Sequence, residues 1–417
     1  MLTVIIFVLL LFVYALLSQR IEQTPVTAPM VFTALGMAMS PAWVHIAGAG
    51  VTANVFLRVA ELGLVLLLFT DASRTDLKVL RSIETLPGRL LSIGMLLTIL
   101  LGAIAAHLVF PRLSLWETGI LAAILAPTDA GLGQVVVSSP RVPMRIRQAL
   151  NVEAGLNDGL SVPFLLFFMA FAAARTEGSA ASLLQFIGEQ LGLGVVVGAA
   201  IGLIGGWLLR FATRRGYIAD SFRQIAVVTL PLMCLLLAEM VDASMFIAAF
   251  VAGLAVQIPF PEAGKHSVDF AEEWGQMFNL TVFFLFGMLV VRDWPQFTVG
   301  CWVYALLSLT VVRMLPVTVS LLGTGLGASS VLFMGWFGPR GLASIVLGMV
   351  YLEQELHLPG EPAIRLAVMG TVVLSIFVHG ASALPGISIY ARKVRALEAS
   401  APERQDDRGS QSQAAGQ

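Results

Sequence analysis

Two short stretches of the sequence decide the fold: residues 126–131, Ala-Pro-Thr-Asp-Ala-Gly, and residues 337–341, Phe-Gly-Pro-Arg-Gly. Each lies in the middle of a long apolar run and combines proline, glycine and a charged residue. Proline removes a backbone donor and clashes with the preceding helical turn. A helix interrupted in an apolar setting persists only where its freed backbone groups meet protein or a watery cavity. The sequence therefore predicts two discontinuous helices.

The composition around these stretches is that of a membrane protein. Of the 417 residues, 57% are hydrophobic and only 12% are charged, and the mean hydropathy is +0.86. A soluble domain carries about a quarter charged residues, so a cytosolic enzyme or a secreted scaffold is excluded. The net charge of −1 offers no basic surface for nucleic acid. The two cysteines, Cys234 and Cys301, lie in apolar runs and read as small hydrophobic residues.

The apolar runs are long enough to be transmembrane helices. A bilayer core about 30 Å thick needs roughly 17–25 apolar residues per helix. That window gives thirteen candidate spans, at residues 2–18, 28–48, 55–71, 88–110, 116–138, 149–174, 185–212, 223–241, 244–259, 275–291, 299–323, 328–352 and 362–391. No segment fits the alternating pattern of a membrane β-barrel, so the predicted fold is all-α and polytopic. Residues 1–17 lack the flanks of a signal peptide and count as the first span.

The basic residues predict the orientation. Most of the 25 Lys and Arg fall in loops that follow odd-numbered spans or in the tail, whereas the opposite loops hold only Arg112, Arg175 and Arg292. Because basic loops remain cytoplasmic, the N-terminus is expected outside and the C-terminus inside. The polar residues from 392 to 417 are expected to form a short disordered cytoplasmic tail.

Several functional classes lack their motifs. The sequence has no G-x-x-x-x-G-K-[ST] phosphate loop, so any transport must be driven by a gradient. The five histidines form no H-E-x-x-H, and no G-x-S-x-G occurs. We therefore expect no enzyme activity, no cofactor and no resident metal.

The two interrupted segments occupy matching places in two halves of the chain. They correspond if spans 1–6 repeat as spans 8–13 and span 7 links them, which makes the second half inverted. Paired interruptions of this kind point to a transporter binding site at the repeat interface. Asp129 and Arg340 would offset the partial charges of the half-helix ends, with substrate contact as the alternative. Thr128 could offer an oxygen to a cation at the same break.

The densest polar cluster lies in span six. It comprises Asn151, Glu153, Asn157 and Asp158. On a helix, Glu153 and Asn157 lie about 40° apart, whereas Asp158 points about 140° away from Glu153. The two carboxylates therefore cannot share one task.

Each carboxylate has its own predicted role. Glu153 needs a buried cationic partner, for which Arg313 is the first candidate and Arg340 the second. Asp158 would face a cavity between the broken helices, where a carboxylate can hold a proton or a hard monovalent cation. The alternative for both carboxylates is an interhelical polar clamp.

The sequence leaves alternatives for the roles of two further residues. Glu61 could line a funnel, pair with Arg58 one turn back, or lie at the membrane interface. His379 could be a helix-packing residue or a pH sensor.

Over nearly all of residues 1–391 the chain resembles the monovalent cation/proton antiporter family, which contains the NhaP-type Na+/H+ antiporters and the Na+/H+ exchangers. The matching marks are Thr128-Asp129, the arrangement of Glu153, Asn157 and Asp158, Arg313, and the Gly-Pro-Arg-Gly run at 338–341. The resemblance implies a thirteen-helix inverted-repeat fold and a homodimer in the lipid bilayer.

The resemblance also implies roles for individual residues. Asp158 would be the essential cation- and proton-binding carboxylate, and Thr128 would help to coordinate the ion. Asn157 and Asp129 would stabilise the crossing of the broken helices, and Glu153 would form an ion pair with Arg313.

Two positions bear on stoichiometry and selectivity. Asn157 beside Asp158 is similar to members that exchange one cation per proton. Ala154 stands where many relatives carry a serine that contributes to the ion site, so the coordination shell here differs. The expected substrates are H+ and Na+ or K+, with Li+ as a third candidate.

The resemblance further implies a division of the chain. Residues 1–87 and 223–298 would form a dimerisation platform, residues 88–174 and 299–391 the moving ion-binding core, and residues 175–222 a linker helix. The short tail favours a bacterial plasma membrane. The alternative functions are a carrier of small organic anions, with Arg313 and Arg340 binding substrate, and a receptor or channel without coupled counterflow.

Overall fold

The computed structural model of the protein describes residues 2–21, 24–47, 53–75, 85–177, 188–263, 269–354 and 356–396. Within these ranges the regular secondary structure is helical and no β-strand occurs. The predicted all-α fold is therefore confirmed for this part of the chain.

The described ranges contain fifteen helices. In chain order they are α1 (Leu2–Ile21), α2 (Ala28–Ala47), α3 (Ala53–Arg74), α4 (Leu86–Val109), α5 (Leu115–Ile124), α6 (Ala130–Val137), α7 (Met144–Glu177), α8 (Gly188–Arg214), α9 (Asp220–Met240), α10 (Met245–Val256), α11 (Asp269–Asp293), α12 (Val299–Ser320), α13 (Ala328–Trp336), α14 (Leu342–Glu353) and α15 (Glu361–Arg395). Helix α8 begins with a short π-helical segment, Gly188–Leu193, and α4 contains one at Leu90–Gly94.

Seven of the helices in the described ranges are long and apolar enough to cross a membrane: α4, α7, α8, α9, α11, α12 and α15. Their outer faces are apolar as well. On α4, Leu96, Leu100, Ile104 and Leu108 are exposed at a spacing of four residues, which is one face of a helix. An exposed apolar stripe of this kind is stable against lipid, so the chain is a multi-pass membrane protein.

The two predicted interruptions are present. Residues 125–129 separate α5 from α6, and residues 337–341 separate α13 from α14. In both places the chain leaves the helical conformation at the proline-containing stretch and resumes a helix within five residues. The predicted pair of discontinuous helices is therefore confirmed.

Glycines bring α8 unusually close to α10. A Cβ atom on Gly198 would overlap the carbonyl group of Ala248, and one on Gly202 would press on Ala252 and Ala255. Only glycine permits this approach, which is the small-x-x-x-small mode of helix packing in membranes. The contact joins the helix of the predicted linker to a helix of the second half of the chain.

The last helix is longer than predicted. Helix α15 continues to Arg395, so residues 392–395 are helical and are not part of a disordered tail. Tyr390 and Val394 are buried on this turn, and three basic residues lie where they stabilise the negative end of the helix dipole. Residues 397–417 of the predicted tail lie outside the described residues, as do Lys78, Arg81 and Lys265 of the predicted cytoplasmic loops.

Candidate functional site

Asp129 caps two helices at once. Its Oδ1 accepts a hydrogen bond from the backbone N–H of Leu132 in the first turn of α6 (2.9 Å). Its Oδ2 accepts one from the backbone N–H of Leu342 at the start of α14 (2.6 Å). The Asp129 backbone N–H donates to the Pro339 carbonyl oxygen (2.8 Å). One buried carboxylate therefore satisfies the positive N-terminal ends of both second half-helices, where a negative charge is stabilising.

Arg340 binds the backbone that follows the C-terminal end of α5. Its Nη1 donates to the carbonyl oxygens of Ala126 (2.6 Å) and Pro127 (2.9 Å), which follow the C-terminal end of α5. The side chain is fully buried. Its backbone N–H donates to Ser375 Oγ on α15 (2.7 Å). The guanidinium therefore offsets the negative end of α5.

Asn157 ties α7 to the first break. Its Oδ1 accepts from the Thr128 backbone N–H (3.1 Å), and its Nδ2 donates to Thr128 Oγ1 (2.7 Å). All these atoms are buried. The side chain replaces helical hydrogen bonds that the interruption removes.

Glu153 and Arg313 form a bidentate ion pair between α7 and α12. Arg313 Nη1 and Nη2 donate to Glu153 Oε1 (2.5 Å) and Oε2 (2.9 Å). The residues are 2% and 4% exposed. Arg340, the second candidate partner, contacts the break instead. A Cβ atom on Gly338 would overlap the Arg313 guanidinium, so the second break rests directly on this pair.

Asp158 lies apart from this bonded framework. It lines a cavity of about 820 Å³ together with Asp71 of α3, Asp129, Gln134 of α6 and Asn279 of α11. Asp158 Oδ1 is buried and has no hydrogen-bond partner within the described part of the chain. Both oxygens of Asp129 accept backbone hydrogen bonds, so Asp158 is the carboxylate better placed to take a ligand from the cavity.

The predicted site residues therefore fall into two sets, those that line the cavity and those that do not. Asp158 and Asp129 line the cavity, whereas Thr128, Asn157, Glu153, Arg313 and Arg340 are not among its described lining residues. The second set of residues bonds within the protein: Thr128 to Asn157, Glu153 to Arg313, and Arg340 Nη1 to the carbonyl oxygens of the first break.

Asp71 is the main residue that sequence reasoning missed. A Cβ atom on Gly155, one turn before Asp158 on α7, would lie 3.1 Å from Asp71 Cβ. The absence of a side chain at Gly155 lets α3 bring a second carboxylate beside Asp158. The available signal was an acid at the very end of the third apolar run, which reads equally well as an interfacial residue.

Glu61 and His379, for which the sequence left alternatives, both make specific contacts in the structure. Arg58 binds Glu61 (3.1 Å) and Glu239 of α9 (3.0 Å), which selects the pairing of Glu61 with Arg58 among the alternatives. His379 Nε2 donates to the Trp336 carbonyl oxygen at the end of α13 (2.9 Å), and its Nδ1 lies 3.1 Å from Ser375 Oγ. These contacts are those of a packing histidine.

Carboxylates that line a cavity beside two discontinuous helices are typical of polytopic transporters with a binding site at the helix breaks. A family model described as "Sodium/hydrogen exchanger, transmembrane" matches residues 6–385. The chain belongs to the sodium/hydrogen exchanger family, whose members are transporters.

Curated relatives agree with this assignment. The chain is 26% identical over 313 residues to a probable Na+/H+ antiporter of Schizosaccharomyces pombe, covering 66% of this chain and 41% of that protein. It is 26% identical over 275 residues to the K+/H+ antiporter NhaP2 of Shewanella oneidensis, covering 64% of this chain and 46% of that one. The chain thus spans about half the length of the curated relatives it matches.

The fold is similar to that of the sodium proton antiporter MjNhaP1 from Methanocaldococcus jannaschii at pH 8. The TM-score is 0.75 at 19% sequence identity, and the match covers 95% of this chain and 99% of that chain. The helical arrangement is therefore that of a known antiporter fold.

Proposed function

We propose that the protein is a secondary antiporter that exchanges a monovalent cation for H+, with Asp158 as the group for which the two ions compete. The observation that carries this proposal is the buried, unpartnered Oδ1 of Asp158 in a cavity that Asp71 also lines. A carboxylate removed from bulk water needs either a proton or a cation. The names of the relatives support Na+ or K+ as that cation, and Li+ is a third candidate.

The charge distribution supports a cation site over the organic-anion alternative. The organic-anion alternative requires Arg313 and Arg340 to bind the substrate. Arg313 is bonded to Glu153, and Arg340 is bonded to the carbonyl oxygens of the first break. Neither guanidinium is among the described lining residues of the cavity. The carboxylates near Asp158 attract positive charge instead.

Exchange requires that the site face each side of the membrane in turn. The cavity is also lined by Arg74, Arg145 and Arg147. These arginines belong to the basic loops that are predicted to be cytoplasmic. We propose that the structure is the inward-facing state, in which the cavity opens to the cytoplasm. Only the cation-loaded and proton-loaded forms then convert to the outward-facing state, which couples the two fluxes.

The moving part is proposed to be the core of residues 88–174 and 299–391, which carries Asp158, the two breaks and the ion pair. Residues 1–87 and 223–298 form the platform, and residues 175–222 the linker. The position of the cavity supports this division, because Asp158 and Asp129 lie on core helices and Asp71 and Asn279 on platform helices.

The remaining features of the proposal rest on the sequence and on the family resemblance. They are thirteen crossings in two inverted halves, counting α5–α6 and α13–α14 as one crossing each, with the N-terminus outside and the C-terminus inside. We propose that the protein is a homodimer in a bacterial plasma membrane. Asn157 beside Asp158 resembles the arrangement in family members that exchange one cation for one proton, and the proposed stoichiometry is the same.

The test is dequenching of a pH-gradient dye in everted vesicles on addition of Na+, K+ or Li+. The native protein is expected to collapse the gradient with at least one cation, and Asp158→Asn to abolish the response. A matched control is Gln148→Leu, an exposed cavity-mouth residue on the same helix, which should respond like the native protein. An Asp158→Asn variant as active as the native protein would contradict the proposal.

A further inference from the structure

We infer that Asn279 of α11 is a cation-specific ligand of the transport site, supplying a neutral oxygen that binds the metal ion but not the proton. This inference rests on the proposed antiport function and adds a residue from the platform to it. Its starting point is that Asn279 lines the same cavity as Asp158 and that its Oδ1, like Asp158 Oδ1, is buried without a hydrogen-bond partner in the described residues.

The buried amide oxygen of Asn279 has no hydrogen-bond partner among the described residues. A buried polar atom without a protein partner costs free energy unless water or a ligand satisfies it. Two unpartnered oxygens of residues that line one cavity, a carboxylate and an amide, are ligands of the kind that a hard cation prefers.

The position of Asn279 is fixed from both sides. On the platform side, a Cβ atom on Gly63 of α3 would lie 3.1 Å from Phe278 Cβ and 3.9 Å from the backbone nitrogen of Asn279, so α3 and α11 approach closely at this level. On the core side, a Cβ atom on Gly131 would lie 3.1 Å from Asp129 Oδ1 and 3.4 Å from Asn279 Nδ2. Asn279 therefore reaches across to the first turn of α6, at the helix break.

The chemistry of the amide separates the two transported ions. A carboxylate binds a proton as well as a cation, but the asparagine side chain does not titrate and its carbonyl oxygen acts only as an acceptor or metal ligand. Neutral carbonyl oxygens replace part of the hydration shell of a monovalent cation. Asn279 thus adds a ligand to the cation-loaded site, whereas the transported proton binds to the carboxylate of Asp158 itself.

The test compares kinetics in everted vesicles, with the cation that the native protein prefers. Asn279→Leu keeps the size of the side chain and removes its oxygen, and it is expected to raise the cation KM about tenfold. The maximal rate and the pH dependence at saturating cation should stay within about twofold of native values, because the proton-binding carboxylate is intact.

Two variants make the result specific. Asn279→Asp retains oxygen ligands and should leave the cation KM at or below the native value at alkaline pH. Gln276→Leu removes an exposed amide one turn earlier on α11 and should leave the KM unchanged. If Asn279→Leu fails to fold, the Asn279→Asp result decides, and a KM raised above native in that variant would overturn the inference.

The outcomes separate this inference from the proposed function. A native protein without cation-dependent proton flux, or an active Asp158→Asn variant, would refute the antiport mechanism itself. A native protein that antiports and loses activity with Asp158→Asn, but whose Asn279→Leu variant has a native KM, would refute only the role of Asn279.

Discussion

Arg313 and Glu153 face each other across α12 and α7 with two nitrogen–oxygen contacts of 2.5 and 2.9 Å, fully inside the helical bundle. The geometry is bidentate and charge-assisted, which is the strongest form of such a pair. Because Gly338 lies directly against the guanidinium, the pair also supports the second helix break.

Glu153→Leu would leave the Arg313 charge buried without its partner. We expect a loss of about 3–5 kcal/mol in unfolding free energy, measured as a lower midpoint of thermal unfolding in detergent. The double variant Glu153→Leu/Arg313→Met removes both charges and should recover a large part of the loss. A single variant as stable as the native protein would show that the pair does not hold the bundle together.

Asp129→Ala would remove the acceptor for two helix N-termini at once. Each lost hydrogen bond to a buried donor costs about 1–3 kcal/mol, so we expect a variant that is strongly destabilised and inactive. Asp129→Asn keeps one acceptor oxygen and should be intermediate in stability. Equal thermal stability of the alanine and asparagine variants would contradict the double-capping role.

Gly341 and Gly133 offer a matched pair of glycine substitutions near the crossing. A Cβ atom on Gly341 would overlap the Asp129 carboxylate, whereas one on Gly133 meets no atom within 4 Å. Gly341→Ala is therefore expected to destabilise the protein by about 2–4 kcal/mol. Gly133→Ala lies on α6 and should be neutral or slightly stabilising. Comparable unfolding midpoints for the two variants would argue against the close approach at Gly341.

Asp71→Asn removes a negative charge beside Asp158 without changing the size of the side chain. We expect the cation KM to rise about tenfold, since a nearby charge contributes on the order of 1.4 kcal/mol at an effective protein dielectric. Transport should persist, in contrast to Asp158→Asn. A dye-dequenching assay over a range of cation concentrations measures both. An unchanged KM would exclude Asp71 from the cation site.

Much of the architecture was predictable because a few local rules govern it. The ends of the apolar runs fall within a few residues of most helix ends, and the Pro/Gly stretches at 126–131 and 337–341 marked both breaks. Helical angles alone separated Glu153, now facing Arg313, from Asp158, now facing the cavity. These features depend on neighbours in sequence.

The unpredicted features depend on distant contacts. Asp71 and Asn279 reach the cavity from α3 and α11, and nothing in their own segments indicates that Gly155 and Gly131 leave room for them. The acceptors of Arg340 are backbone carbonyls of the other half of the chain, which carry no residue signature. The helical extension to Arg395 depends on the burial of Tyr390 and Val394 against α13 and its surroundings.

The central claim is that a cation and a proton compete for Asp158. The most direct measurement is the apparent KM of the preferred cation in proteoliposomes at a series of pH values, with equal pH on both sides and a cation gradient as the driving force. Competition for one carboxylate predicts that, on the acidic side of its titration, the KM rises about tenfold for each unit fall in pH while the maximal rate at saturating cation stays constant. A KM independent of pH, with only the maximal rate changing, would contradict the account.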